Sequence, residues 1–106
     1  MSAIDLSRFD ALGIAELVRT KEISAHEALD WALSSVADRD RHVRSVWRIF
    51  EDQARASIDA GLSDGPFRGV PFLIKDLGLR LQGTITSSGS KFFADAVATS
   101  TSELVK

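Results

Sequence analysis

The sequence contains no cysteine in its 106 residues, and it also lacks tyrosine and has only two prolines. Without thiols the chain forms no disulfide, offers no thiolate nucleophile and has none of the sulfur ligands of structural zinc sites. An excess of positive charge is missing too, because 13 Lys and Arg residues face 15 Asp and Glu residues, which gives a formal net charge of −2. This balance gives no electrostatic reason to expect a nucleic acid or an anionic membrane as a partner.

Long apolar runs are also absent. No stretch approaches the roughly 20 apolar residues that a membrane-spanning helix needs, and the N-terminus has no basic region followed by an apolar core. We therefore expect a cytoplasmic protein without a membrane partner. What remains is 44% hydrophobic and 26% charged residues, a composition typical of a soluble globular protein, in a length that allows one domain at most.

Apolar residues at helical spacing predict three helices, over about residues 10–22, 25–38 and 51–60. Ser24 and Glu27 have the spacing of a capping box at the start of the second helix. Gly61 is placed to end the third helix, because glycine readily adopts the left-handed backbone of a helix C-terminus. The charged segment between the second and third helices is interpreted as a solvated loop.

Two further segments have the composition of strands, at about residues 45–50 and 70–75. In the first, Trp47 and Ile49 are expected on one face. The second includes the most apolar run of the chain, residues 70–74, and is predicted to be buried on both faces of a sheet. Helices with strands between them predict the α/β fold class.

Lys75 follows this apolar run directly and precedes a segment rich in Gly, Ser and Thr. A partly desolvated lysine is more easily neutral, so it can serve as a base or nucleophile. The alternative is a lysine that reaches to solvent and pairs with Asp76. His26 and His42 have no second ligand at metal-binding spacing, so we expect surface histidines, no metal site and no cofactor.

Residues 65–76, GPFRGVPFLIKD, resemble the G-P-L-x-G-V-P-x-x-I-K-D segment of the amidase signature family. Residues 86–90, TSSGS, are similar to the T-T-x-G-S that follows this segment in the family. The likeness extends over the whole chain, through AELV at residues 15–18, SAHEA at 24–28 and TSTSELV at 99–105. It corresponds to the N-terminal third of family members.

The resemblance implies that Lys75 is the lysine of a Ser-Ser-Lys triad that hydrolyses carboxamides. In the family a serine nucleophile and a bridging serine complete the triad, and both lie in a Gly/Ser-rich segment further along than residue 106. A small-molecule amide substrate is therefore expected, with no nucleic-acid partner. The resemblance leaves the identity of the amide open, and a homo-oligomer is an open alternative to a monomer.

The family also implies a mixed sheet flanked by helices, to which residues 1–106 contribute the N-terminal helices and the first strands of a single amidase domain. A capping box at Ser100 and Glu103 begins a helix less than two turns before Lys106, so we expect a truncated part of a longer enzyme, inactive alone. The alternative is a non-catalytic α/β module that packs against a partner chain. The reading frame after the Lys106 codon distinguishes these two.

Overall fold

The computed structural model describes residues 4–106. Its three α-helices are α1 (Ala11–Arg19), α2 (Ala25–Val43) and α3 (Glu51–Ala60), and two short 3-10 helices span Leu6–Arg8 and Lys91–Phe93. The chain divides into two compact units, Met1–Pro71 and Phe72–Lys106, and the three α-helices all belong to the first.

Side-chain caps set the starts of α1 and α2. The Asp10 carboxylate accepts a hydrogen bond of 2.7 Å from the Gly13 N–H at the start of α1. At the start of α2, the Ser24 hydroxyl accepts from the Glu27 N–H at 3.0 Å, and the Glu27 carboxylate accepts from the Ser24 N–H at 3.0 Å. Both bonds of the capping box are thus formed, and each satisfies an N–H group that the helix leaves unpaired.

The end of α2 differs from the prediction, because the helix continues past residue 38 to Val43. The charged residues after position 38 were interpreted as a loop, but arginine is a good helix former and its charge is easily solvated on an exposed face. Arg44 then adopts a left-handed backbone, with φ of 55°. The Asp40 carboxylate accepts from the Ser45 N–H at 2.8 Å and so stabilises this helix end.

The core of the first unit is small and lies where α1 meets the start of α2. Its buried side chains are Leu6, Ile14, Leu17, Ile23 and Ala28, and partly buried Ile4, Val18, Trp31 and Val70 pack against it. Ile23 and Ala28 flank the capping box, so the box fixes the direction in which α2 leaves the core.

Gly69 lies next to α1 in a backbone conformation with φ of 83°. A Cβ atom at this position would lie 2.8 Å from Val18 Cγ1, closer than real Cβ contacts allow. Glycine is therefore required twice here, once for the positive φ and once for the close approach to the helix. It brings the following residue, Val70, against the core.

Arg55 joins α3 to α2 in the first unit. Its guanidinium donates to Asp30 on α2 and to Glu51 on α3, and its Nη1 lies 3.1 Å from His26 Nδ1. His26 Nε2 is 2.9 Å from the Asp59 carboxylate. His26 was expected to be an ordinary surface histidine, but it is half-buried and bridges the two helices.

The predicted strands at residues 45–50 and 70–75 are not formed, and the residues that the structure describes contain no strand. Trp47 is 53% exposed, with the Arg48 guanidinium 4.3 Å from its ring centroid. In the second segment Phe72 and Leu73 are 70% and 71% exposed, so the prediction of burial on both faces is wrong. A strand exists only when a neighbour pairs with its backbone, and these segments find none within residues 4–106. The α/β class is therefore not confirmed.

Turns and hydrogen bonds between two segments of chain build the second unit. An isolated antiparallel bridge pairs Ile85 with Val97, and the Ala98 N–H donates to the Thr84 carbonyl at 2.8 Å. The same pairing is extended by side chains, because the Arg80 N–H donates to the Ser102 hydroxyl at 3.0 Å. Residues 103–105 form a turn, so the helix predicted after Ser100 is not formed.

Candidate functional site

Lys75 lies in the second unit, after residues 70–74, and its side chain is exposed. Within residues 4–106 it takes part in none of the ion pairs, so the pairing with Asp76 that was the alternative interpretation is not formed. Its exposed side chain also differs from the partly desolvated lysine that the sequence predicts.

The carboxylate of Asp76 instead binds the loop at residues 86–90. Oδ1 accepts from the Ser87 N–H at 2.6 Å, and Oδ2 accepts from the Ser87 hydroxyl. A longer bond of 3.4 Å joins the Gly89 N–H to Oδ2. Ser87 is only 5% exposed, so its two hydrogen bonds to Asp76 are shielded from solvent on the serine side. We call this set of contacts, made by Asp76, Ser87 and Gly89, the Asp76 clamp.

The hydrogen bond from the Ser87 hydroxyl is the main reason that the pKa of Asp76 lies below its usual range. The backbone N–H groups of Ser87, Gly89 and Ser88 lower the pKa further, and partial burial opposes them. Hydrogen bonds to a carboxylate favour its charged form, so Asp76 stays ionised at neutral pH. The clamp therefore presents a full negative charge to the loop.

The loop places its N–H groups around the carboxylate by adopting left-handed backbone at two consecutive residues. Ser88 has φ of 54° and Gly89 has φ of 69°. Positive φ is uncommon for a residue other than glycine, and such turns point successive N–H groups into one concavity that suits an anion. Here the anion is supplied by the chain itself, eleven residues before Ser87.

A groove of about 520 Å³ is also present in the second unit. Arg80, Thr86, Ser88 and Phe93 are among the residues that line it, which gives it a cation, two hydroxyls and an aromatic ring. Lys75 does not line this groove. The structure thus connects the candidate lysine to the TSSGS loop through its neighbour Asp76, and not through the groove.

Among the residues that the structure describes, no group of three or more His, Asp or Glu side chains could hold a metal ion. None of the helices in this part of the chain has the length and apolar character to cross a membrane.

Asp76 is the residue that sequence reasoning missed. It was considered only as an ion-pair partner for Lys75, because the two are adjacent. Its actual partners are eleven and thirteen residues away, a separation that corresponds to no local helix or turn pattern. The only available signal was a carboxylate that precedes a run of Gly and Ser residues, whose N–H groups are frequent anion ligands.

Several curated proteins are similar to this chain. A 6-aminohexanoate-cyclic-dimer hydrolase of Pseudomonas sp. (strain NK87) is 40% identical over 91 residues, which cover 86% of the chain and 18% of the hydrolase. A lipoamidase of Enterococcus faecalis is 35% identical over 106 residues, 99% of the chain and 15% of the lipoamidase. A glutamyl-tRNA(Gln) amidotransferase subunit of Agathobacter rectalis is 31% identical over 110 residues, 97% of the chain and 22% of that protein.

These relatives are amidase-signature enzymes. The resemblance to that family is thereby confirmed. The chain spans about a fifth of the length of the curated relatives that it matches. No family model matches the chain, and no solved structure matches it.

Proposed function

We propose that the chain is the lysine-bearing, N-terminal part of a single amidase domain, in a hydrolase that cleaves a carboxamide C–N bond with Lys75 as the base. The observation that carries this proposal is the match to named amidases over a stretch that includes Lys75. The similarity to the lipoamidase extends over 99% of the chain, a span that includes the segment around Lys75. In this proposal the partial desolvation of Lys75 comes from the remainder of the intact protein, because its side chain is exposed in the part of the chain described.

The proposed chemistry follows the Ser-Ser-Lys scheme of the family. Neutral Lys75 accepts a proton from a bridging serine, which in turn accepts the proton of the nucleophilic serine. The serine oxygen attacks the amide carbon, the C–N bond breaks, and the proton returns to the leaving amine. Water then hydrolyses the resulting acyl-enzyme ester. Both serines belong to the protein beyond residue 106 in this proposal, and the substrate is a small amide.

Cytoplasmic location and the absence of a nucleic-acid partner belong to the same proposal. The formal net charge of −2 supports the second, because phosphate backbones are bound through basic surfaces. The substrate is left open among small amides, and the name of one relative prints the cyclic dimer of 6-aminohexanoate.

The experiment is to assay the intact protein and its Lys75→Ala and Lys75→Arg variants on a panel of amides: the 6-aminohexanoate cyclic dimer, lipoamide, primary amides and anilides. Both variants should lose activity while staying folded, because a positioned general base supplies about 10²- to 10⁴-fold in rate. Arginine fails as well, since it remains protonated and cannot accept a proton.

Lys91→Ala is the matched control, because Lys91 is an exposed lysine of the same unit. It should retain the wild-type rate. The proposal is wrong if either Lys75 variant keeps more than about a tenth of the wild-type rate constant, which corresponds to only about 1.4 kcal/mol of barrier. If the wild-type protein cleaves none of the amides and instead co-purifies with a partner chain, the non-catalytic module becomes the better interpretation.

A further inference from the structure

The Asp76 clamp holds two parts of the second unit together at the residue next to Lys75. One side of the clamp is the chain directly after Lys75, and the other is the loop at residues 86–90. The peptide bond between Lys75 and Asp76 leaves only a few backbone dihedral angles between the clamped carboxylate and the lysine. Fixing Asp76 therefore restricts where the Lys75 backbone can lie.

Other restraints on Lys75 are weak in this unit. Its side chain is exposed, and the residues immediately before it, Phe72 and Leu73, are exposed too. No ladder of backbone hydrogen bonds holds residues 70–75, because no strand is formed within the described part of the chain. The clamp is thus the nearest set of hydrogen bonds that can fix the lysine in space.

Ser87 contributes two of the three bonds, one from its backbone and one from its hydroxyl. The burial of Ser87 limits the access of water to its two donor groups, which strengthens both bonds. The hydroxyl of a buried serine in a Gly/Ser-rich segment near a candidate base could be taken for part of the triad. Here the Ser87 hydroxyl donates its proton to Asp76, so the serine serves to hold the carboxylate in place.

We propose that Asp76, through Ser87 and Gly89, is a positioning residue that fixes the backbone from which Lys75 extends its amine for proton transfer. This inference rests on the proposed function of Lys75. Asp76 itself touches no reacting atom and accepts no proton in the reaction. Its carboxylate must be ionised to accept from three donors, and replacing one oxygen by an NH₂ group would turn a donor toward the N–H groups of the loop.

The test compares Asp76→Asn, Asp76→Gly and Ser87→Ala in the intact protein, with Asp95→Asn as the matched control. Asp95 is an exposed aspartate of the same unit, so its variant makes the same charge change away from the clamp. We expect Asp76→Asn to lower kcat by about 10- to 100-fold with a much smaller change in KM, because a displacement of about 1 Å in a catalytic group has an effect of that size. Ser87→Ala should lower kcat less, since the backbone bond remains, and Asp95→Asn should leave it unchanged.

Chemical rescue distinguishes positioning from general loss of structure. Asp76→Gly leaves the N–H groups of the loop free to bind a small carboxylate. Added formate or acetate should restore part of kcat, whereas chloride at the same ionic strength should not. Hydrogen exchange at the Ser87 and Gly89 amides should be faster in Asp76→Asn and in Asp76→Gly than in the wild type. Added formate should slow this exchange in Asp76→Gly.

The outcomes separate this inference from the proposed function. If Lys75→Ala is inactive but Asp76→Asn and Ser87→Ala keep the wild-type kcat, the positioning role is wrong and the base assignment stands. If Lys75→Ala is active, the assignment of the base fails and the positioning role fails with it. If Asp76→Asn does not fold, kcat and amide exchange are compared in Ser87→Ala. Faster exchange with a lowered kcat supports the inference, and faster exchange with an unchanged kcat overturns it.

Discussion

Replacing Gly69 by alanine should destabilise the first unit in two separable ways. The backbone at this residue has φ of 83°, which disfavours any residue with a Cβ atom. The new Cβ would also lie 2.8 Å from Val18 Cγ1 and 3.3 Å from Cγ2. Val18 cannot turn aside, because a β-branched side chain in a helix has one strongly preferred rotamer. Its side chain also packs against the core.

Gly61 provides the matched comparison, since it too has a positive φ, of 98°, but a methyl group added to its Cα would have nothing within 4 Å. Gly61→Ala should cost about 1 kcal/mol, the balance of roughly 1–2 for the left-handed backbone against 0.4–1 regained from a stiffer unfolded chain. Gly69→Ala adds an overpacking penalty of about 1–3 kcal/mol, so its total is about 2–4.

The assay is urea denaturation of the wild type, the two alanine variants, Val18→Ala and the double variant Gly69→Ala with Val18→Ala. Removing both Cγ atoms of Val18 leaves only its Cβ, at 3.4 Å from the new methyl group, an ordinary contact. Gly69→Ala should therefore cost no more in the Val18→Ala background than Gly61→Ala does in the wild type. Additivity of Gly69→Ala and Val18→Ala within about 0.5 kcal/mol would refute the clash.

Three further predictions concern caps, ion pairs and pH. Ser24→Ala should lower the free energy of unfolding by about 1 kcal/mol in urea titrations, whereas Ser34→Ala, at an exposed position within α2, should leave it unchanged or raise it slightly, because alanine is the better helix former. Arg55→Ala should lower Tm more than Arg41→Ala, because the Arg55 side chain is 31% exposed with two carboxylate partners and the Arg41 side chain is 68% exposed with one at 3.9 Å. The folded-state pKa of Asp76 is lowered, so its stabilising contribution is present above about pH 4 and is lost as the pH falls through the lower folded value. In an acid titration, the free energy of unfolding of Asp76→Asn should therefore decrease less steeply than that of the wild type.

Local signals in the sequence were enough to place the starts of the three α-helices, but the same kind of signal at Ser100 and Glu103 begins no helix within the described residues. The capping box of Ser24 and Glu27 depends on residues three positions apart, so it can be read directly and is formed in the structure. The end of α2 was harder to predict, because arginines and aspartates suit an exposed helix as well as a loop. There the deciding contact is the Asp40 carboxylate with the Ser45 N–H, which stabilises the left-handed turn at Arg44.

Strands could not be predicted in the same way, because composition shows what a segment would bury but not whether a neighbour exists to pair with it. Residues 70–75 have the composition of a buried strand, yet Phe72 and Leu73 are exposed in the structure. The same reason explains why Lys75 was found and the Asp76 clamp was not. Lys75 was singled out by its immediate neighbours, whereas the clamp depends on residues that only the folded loop brings close.

The residues of the GPFRGVPFLIKD segment have different structural roles. Gly69 permits close approach to α1, Val70 packs against the core, and Asp76 binds the TSSGS loop. Each of these has a structural task that the described residues fully account for. Lys75 has none, although it follows an apolar run in which a charged side chain adds nothing to packing. The proposed base thus lies next to a carboxylate that the buried Ser87 holds in place, and a catalytic group acts efficiently only when neighbouring contacts fix its position.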